Sequence, residues 1–326
     1  MTTPLPHLWS AVRGSGLWLA MLLLPLAGLQ AQGVDALLAS GDSLLHLEKP
    51  QRAMEVFDRA IALGPNAKAL LGRSKAWYMM DRMDRFLLDV ESALRLDSTL
   101  AEANYQRGLY AMRANEHARA EWFATKAIAN APDSVLRSKA HILRGEARAE
   151  MKRYAAAIED LGHGINGGAA DGDAMRTLSR LLDLNGRHQE SLTVLERLCE
   201  LEPDDVGHWS NRGFELTMLQ RYDEAMIMIE KALSIDKDEP VALSNRAYVH
   251  MKQGREVDAW RDVERSLRAY PSNPYALRTR AMLRLRKGER AKACEDLTLA
   301  KALGDVAEVD ALLKEHCAME QAPRRR

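Results

Sequence analysis

Three cysteines, Cys199, Cys294 and Cys317, are all that this 326-residue chain carries, which excludes the disulfide-dense scaffolds of small secreted domains. Aromatic residues make up 6%, and there are only 11 prolines and 20 glycines, so the chain is no proline- or glycine-rich low-complexity polymer. An excess of one charge is missing as well. The 46 basic residues face 46 acidic ones, and composition therefore offers no nucleic-acid or polyanion signature. Beyond residue 31 no apolar run approaches the 18 residues of a membrane-spanning helix. What remains is 47% hydrophobic and 28% charged residues, the balance of a packed, helix-rich protein. The length exceeds what one compact core usually holds, so two domains or a repeat array is expected.

The first 31 residues read as an address. One cation, Arg13, precedes an apolar run from Gly16 to Leu29 that Pro25 interrupts, and Leu29-Gln30-Ala31 ends on a small residue. This is the layout of a cleavable signal peptide, too short and broken for an anchor. No cysteine stands at the cut, so lipidation is not expected. Export to the periplasm, the outer envelope or the medium is the expectation, with residues 1–31 absent from the mature chain.

Downstream the sequence repeats with a period of about 34. Small residues recur at Gly41, Ser74, Gly108, Gly145, Ser179, Gly213, Ala247 and Ala281. Twelve residues after each come Ala53, Phe86, Ala120, Ala157, Ser191, Ala225, Ala259 and Ala293, small in all but one. Seven further on stand Ala60, Ala93, Ala127, Gly164, Leu198, Ala232, Ser266 and Ala300, followed in four repeats by Pro65, Pro132, Pro203 and Pro271. Small residues at fixed intervals allow neighbouring helices to approach closely.

The pattern resembles the tetratricopeptide repeat, a 34-residue helix-turn-helix unit, over about residues 34–305. The stretches AEANYQRGLYAMRANEHARAEWFATKAIANAPDS and VGHWSNRGFELTMLQRYDEAMIMIEKALSIDKDE, with Trp209 at position 4, carry it most fully. The resemblance implies an all-α, right-handed superhelical solenoid of eight such units across residues 32–305, of the exported bacterial type. Departures are Phe86 in a small-residue column, three extra residues near Val135–Arg137, and a glycine-rich join after the fourth unit. Residues 306–319 place Val306, Val309, Leu313 and Cys317 on one helical face, as expected of a helix capping the last unit. The basic tail 320–326 is expected to fray.

Position 7 holds arginine in six units, and in four of them aspartate follows sixteen residues later: Arg73 with Asp89, Arg144 with Asp160, Arg246 with Asp262, Arg280 with Asp296. Antiparallel helices bring these positions level, so structural ion pairs are expected. The run Leu161–Asp173 is glycine-rich but lacks the preceding strand and following Gly-Lys-Ser/Thr of a phosphate loop. None of the nine histidines falls in His-Glu-x-x-His, the cysteines lack metal spacing, and no Gly-x-Ser-x-Gly elbow occurs. No metal, cofactor or catalytic residue is therefore expected, and the chain reads as a non-enzymatic scaffold for protein or peptide partners.

In the family the first helices of each unit line a concave groove. The positions that face it select Tyr78, Met79, Tyr105, Leu109 and Met112 toward one end, and Phe214, Met218, Tyr248, Met251, Tyr275 and Met282 toward the other. Methionine and aromatic side chains suit a docked peptide, or alternatively pack against the neighbouring helix as core. The carboxylate clamp of chaperone-binding relatives is not supplied, because Ser210 and Phe214 precede Asn245 where Lys and Asn are needed. Arg278, Arg284 and Arg286 form a basic patch on the last unit, which either steers an acidic partner or is a solvated end. A carbohydrate- or envelope-polymer-binding factor is the alternative function. Finally, Cys294 and Cys317 lie at nearly level heights if the last helix and the cap form an antiparallel hairpin about Gly304 and Asp305. They are then either a disulfide, with Cys199 free, or small buried hydrophobes.

Overall fold

The computed structural model describes residues 33–168, 171–304 and 306–317, and these are all-α, with no strand among them. Residues 1–31, the expected signal peptide, and the tail 320–326 lie outside the described residues. The chain forms a helical-repeat array that divides after Met151 into two compact units.

The first unit contains α1 (33–46), α2 (Pro50–Ala62), α3 (Ala67–Met79), α4 (Met83–Leu96), α5 (Ala101–Arg113), α6 (His117–Asn130) and α7 (Ser134–Glu150). The second contains α8 (Tyr154–Asn166), α9 (Gly172–Leu184), α10 (His188–Leu201), α11 (Val206–Met218), α12 (Tyr222–Ile235), α13 (Pro240–Lys252), α14 (Glu256–Ala269), α15 (Pro274–Arg286) and α16 (Arg290–Leu303). A short α17 (Val309–Leu312) follows, running into a π turn at Leu313–Cys317. Odd-numbered helices up to α15 open the repeats, and even-numbered ones close them.

The two ends of each repeat are built differently. Opening helices after α1 mostly start at a polar cap: the side chains of Asn66, Asp133, Asp171, Asp205, Glu239 and Asn273 accept from backbone N–H groups of the first turn, satisfying donors that the helix leaves unpaired. Closing helices have no side-chain cap and start from a tight backbone reversal. Arg82 N–H reaches Trp77 O at 2.9 Å, Glu116 N–H reaches Ala111 O at 2.8 Å, and Arg255 N–H reaches His250 O at 2.8 Å, the six-to-one bond of a Schellman motif.

That reversal needs a left-handed residue, and it recurs at the repeat period. Glu48, Asp81, Asn115, Lys152, Gly186, Gln220, Gly254 and Gly288 all have φ between 54° and 78°. Only three of the eight are glycine, so five turns hold a side chain in a conformation that costs about 1–2 kcal/mol at Glu48, Lys152 and Gln220 and less at Asp81 and Asn115.

The small-residue columns have a steric origin. A Cβ on Gly41 would lie 2.5 Å from the Phe57 ring, one on Gly72 would lie 2.3 Å from the same ring, and one on Gly213 would lie 2.5 Å from Ile229. Phe57 is fully buried in the space that Gly41 and Gly72 leave. Phe86 is itself buried and meets Tyr78 ring to ring at 5.7 Å, so its repeat accommodates the oversized residue. The three extra residues are absorbed by lengthening α7, which has 17 residues where most opening helices have 13.

Three of the four expected ion pairs form within single units. Asp89, Asp262 and Asp296 each take two hydrogen bonds from Arg73, Arg246 and Arg280 at 2.6–2.9 Å. Arg144 and Asp160 belong to different units. The two arginines without such an aspartate turn back to the preceding repeat, Arg107 to Glu91 at 3.2 Å and Arg212 to Glu196 at 3.1 Å.

The cap is shorter than expected. Instead of one helix from Val306, the chain turns through Glu308 at φ 70° before α17 begins. Val306 and Val309 nonetheless enter the core of the last two repeats, with Leu312, Leu313 and Cys317 packed against it. Cys294 and Cys317 are joined by a disulfide with Cα atoms 5.6 Å apart. Cys199 is free and buried, and burial pushes its thiol up to about 11, so it stays protonated.

Candidate functional site

Within the first unit the selected residues separate into two groups. Tyr78 and Met79 at the end of α3 are exposed. Arg113 lies over the Tyr78 ring at 5.6 Å and donates to its hydroxyl at 3.0 Å, and that contact fixes the ring against α5. Tyr105 instead packs on Ala101, Ala131 and Leu136, and Met112 on Ala111, Ala120 and Ala147. Leu109 helps line a cleft of only about 30 Å³ with Tyr78, Phe86 and Tyr110, too small for a peptide side chain.

The second unit gathers more. Phe214 on α11 meets Tyr275 on α15 edge to face at 5.6 Å. These helices are two repeats apart, so the opening-helix faces converge here. The Tyr275 hydroxyl makes no hydrogen bond among the described residues. Burial, with the negative charges of Asp183 and Glu215 nearby, pushes that hydroxyl above its ordinary range. Beside the ring pair lies a cleft of about 490 Å³ lined by Arg180, Asp183, Asn211, Phe214 and Glu215 among others.

Two groove assignments and part of the basic patch need correction. Met251 has no exposed surface and belongs to the core of the last repeats, together with Tyr248, Ala281 and Leu283. Tyr248 is buried apart from 9% of its surface, and its hydroxyl donates to Glu308 at 2.8 Å. Met282 packs on the same core while retaining some exposure. Arg278 is no surface charge: 3% of it is exposed, its guanidinium stacks on Tyr248 at 4.3 Å, and burial pushes its ionisation below the usual arginine range. Arg284 donates to Asp296 at 2.8 Å, and Arg286 pairs with Glu256 at 3.0 Å. These bonds neutralise most of the expected patch. Met218 lies partly buried at the end of α11.

Two clusters that the fold assembles were not among the expected sites. In the first, His188 at the start of α10 lies 2.8 Å from Glu215 on α11 and 3.5 Å from Asp183 on α9. Ser191 donates to the other Glu215 oxygen at 2.7 Å. Burial raises the carboxyl groups of both Asp183 and Glu215 above their ordinary range, and the charge of Asp183 adds to the cost of ionising Glu215. In the second, buried His208 sits 2.9 Å from Glu202 and 3.8 Å from Asp205, and Arg176 also bonds Glu202 at 2.8 Å. Each cluster offers one nitrogen and two oxygens within 4.8 Å of one another. Asp183, His188 and Glu215 come from three successive helices, so no fixed spacing announces them, whereas Glu202, Asp205 and His208 stand three residues apart across the α10–α11 join, a local signal in the sequence. Asn245 spends its amide on Ser210, at 3.2 Å to the carbonyl, and is not available for a clamp.

Family models for the tetratricopeptide repeat match residues 26–68, 38–101 and 209–239. No curated protein matches the sequence. Among solved structures, YrrB, described as a tetratricopeptide-repeat protein with an unusual peptide-binding site, is 20% identical with a TM-score of 0.52, over 58% of this chain and 95% of YrrB. Pseudomonas aeruginosa PilF is 14% identical with a TM-score of 0.54, over 67% of this chain and 99% of PilF. At these identities the likeness extends to the fold. Among the described residues no helix is long and apolar enough to cross a membrane.

Proposed function

This chain is a tetratricopeptide-repeat protein, built on a fold that generally binds protein partners, and we propose that it is a non-enzymatic scaffold holding a protein or peptide on the opening-helix face of its second unit. The carrying observation is the Phe214–Tyr275 ring pair, which bridges helices two repeats apart beside an open cleft and leaves a tyrosine hydroxyl unbonded. A peptide laid there gains apolar contact from the rings, hydrogen bonds with Tyr275 and Asn211, and acceptors for its own N–H groups in the carboxylates. YrrB offers a parallel in a peptide-binding member of the same fold.

The proposed place of action is the cell envelope or beyond it. The signal-like segment at residues 1–31 and the Cys294–Cys317 bond, which suits an oxidising compartment, both support export. A carbohydrate partner is the second reading, favoured by the paired carboxylates Asp183 and Glu215 near Tyr275. The edge-to-face rings argue against it, since they present no flat stacking platform.

Capture from the protein's own envelope extract tests the proposal, with wild type compared against Phe214→Ala/Tyr275→Ala. The expected result is a proteinaceous partner retained by wild type, lost from the variant, at nearly unchanged thermal stability. A partner retained equally by both, or a variant that simply melts early, overturns the assignment of those rings to the site.

A further inference from the structure

Glu308 reaches its neighbours in an unusual way. It sits in the turn between α16 and α17 with a left-handed backbone, φ 70°, a conformation that a glutamate adopts at a cost. Its carboxylate lies across the opening helices of the last two repeats. It accepts from the Tyr248 hydroxyl at 2.8 Å and from Lys252 Nζ at 3.3 Å, and stands 3.8 Å from Arg278. The receiving groups come from α13 and α15, while the carboxylate comes from outside the repeats.

The receptor is only partly satisfied. The Arg278 side chain is 4% exposed, and Glu308 is the only acid with which it forms an ion pair among the described residues, at a distance longer than a hydrogen bond. Its Nε has no partner, and one further donor goes to the carbonyl of Ala307 at 3.3 Å. A buried guanidinium stacked on Tyr248 and 5.9 Å from Tyr275, with an unmet donor, is costly to maintain unless an anion belongs beside it. Glu308 remains 39% exposed while it fills that role, so solvent and a competing carboxylate have access to it.

We propose that Tyr248, Lys252 and Arg278 form a carboxylate-binding site under the turn that follows α16, and that Glu308 occupies it as a built-in competitor which an acidic peptide must displace. This deepens the scaffold reading and rests on it: the partner carries an acidic side chain or its own terminal carboxylate for this site. Charge complementarity selects an acidic segment, because the site presents two cations and one hydroxyl donor and no acid of its own besides Glu308. The Cys294–Cys317 bond tethers the segment carrying Glu308, holding the competitor at an effective concentration set by a short loop.

The test uses the full mature chain and a fluorescein-labelled hexaglutamate peptide read by anisotropy, with hexalysine as control. Glu308→Gln keeps the size of the side chain but removes the competing charge, and is expected to bind hexaglutamate at least fivefold more tightly than wild type, with no gain for hexalysine. Adding Lys252→Ala to Glu308→Gln is expected to abolish the gain. Circular dichroism and thermal melting verify that the variants stay folded. As a second route, the double variant Cys294→Ser/Cys317→Ser loosens the tether with the receptor intact, and a tighter hexaglutamate complex is again expected. Unchanged affinity in both Glu308→Gln and the cysteine variant overturns the proposal, as does a gain that survives Lys252→Ala. The readout is independent of the captured partner: loss of that partner on changing Phe214 and Tyr275, without any hexaglutamate effect, leaves the scaffold reading standing and removes this one.

Discussion

Replacing Gln220 with glycine is expected to stabilise the protein, against the usual direction of mutation. Gln220 holds φ 60° in the reversal between α11 and α12, and its side chain is exposed without a hydrogen bond among the described residues. Left-handed backbone costs a side-chain-bearing residue about 1–2 kcal/mol, and glycine gives back about 0.5–1 kcal/mol through the greater freedom of the unfolded chain. The difference is a gain of about 0.5–1 kcal/mol, or roughly 1–4 °C in melting temperature for a chain of this size. Glu48→Gly, with φ 54° and an exposed side chain, should behave alike. Asn115→Gly is the internal control. Asparagine tolerates this region far better, so the same change at φ 57° should give little or nothing. Thermal and urea unfolding followed by tryptophan fluorescence and circular dichroism provide the assay. The reasoning is refuted if Gln220→Gly melts below wild type, or if all three substitutions shift stability equally.

Three further outcomes follow from the geometry. Asp296→Ala removes the carboxylate that Arg280 and Arg284 share, leaving two partly exposed guanidinium groups without it, and should cost about 2–3 kcal/mol, whereas exchanging an exposed pair such as Arg261 and Asp258 should change unfolding by less than about 1 kcal/mol. Cys294→Ser/Cys317→Ser opens a loop of 23 residues and should lower stability by about 3 kcal/mol, seen as early trypsin cleavage after Lys314 and a lower melting temperature than the oxidised wild type. Burial raises the Glu215 carboxyl in the folded state, so the folded protein binds that proton more tightly than the unfolded chain, and the stability so gained is present below about pH 4.3 and lost as pH rises through the raised value. Glu215→Gln should therefore gain on wild type across that interval in melting curves taken from pH 4 to pH 8, and parallel curves would count against the buried charge.

The repeat was legible because its causes are local and periodic: a Cβ at Gly213 strikes Ile229 within the same helix pair, and a buried glycine, alanine or serine stands at the same position in the other repeats. The pairing of Arg246 with Asp262 was legible for the same reason. Longer-range geometry was not. Met251 falls on a groove position by counting, yet it is fully buried in the core of the last repeats. Arg278 reads as one more surface cation until the Val306–Glu308 turn folds over it. The Asp183–His188–Glu215 cluster draws on three helices, whose relative heights depend on packing that no spacing records. Arg107 lacks its aspartate because Phe123 stands in the level position and offers its ring at 5.2 Å, and its charge is met by Glu91 on the preceding repeat instead.

That backward turn sorts the ion pairs into two thermodynamic kinds. A linear array behaves as a one-dimensional lattice in which each site has its own energy and each seam has a coupling. Arg73–Asp89, Arg246–Asp262 and Arg280–Asp296 close within a single repeat and so deepen the site energy. Arg107–Glu91 and Arg212–Glu196 cross a seam and strengthen the coupling. Weakening the first kind lowers the melting point of one block, whereas weakening the second lets neighbouring blocks melt separately, broadening the transition before it moves. With the disulfide in place, α17 and the turn after it cannot peel away from α16 by themselves, so the smallest piece that opens at this end is α16 together with its cap.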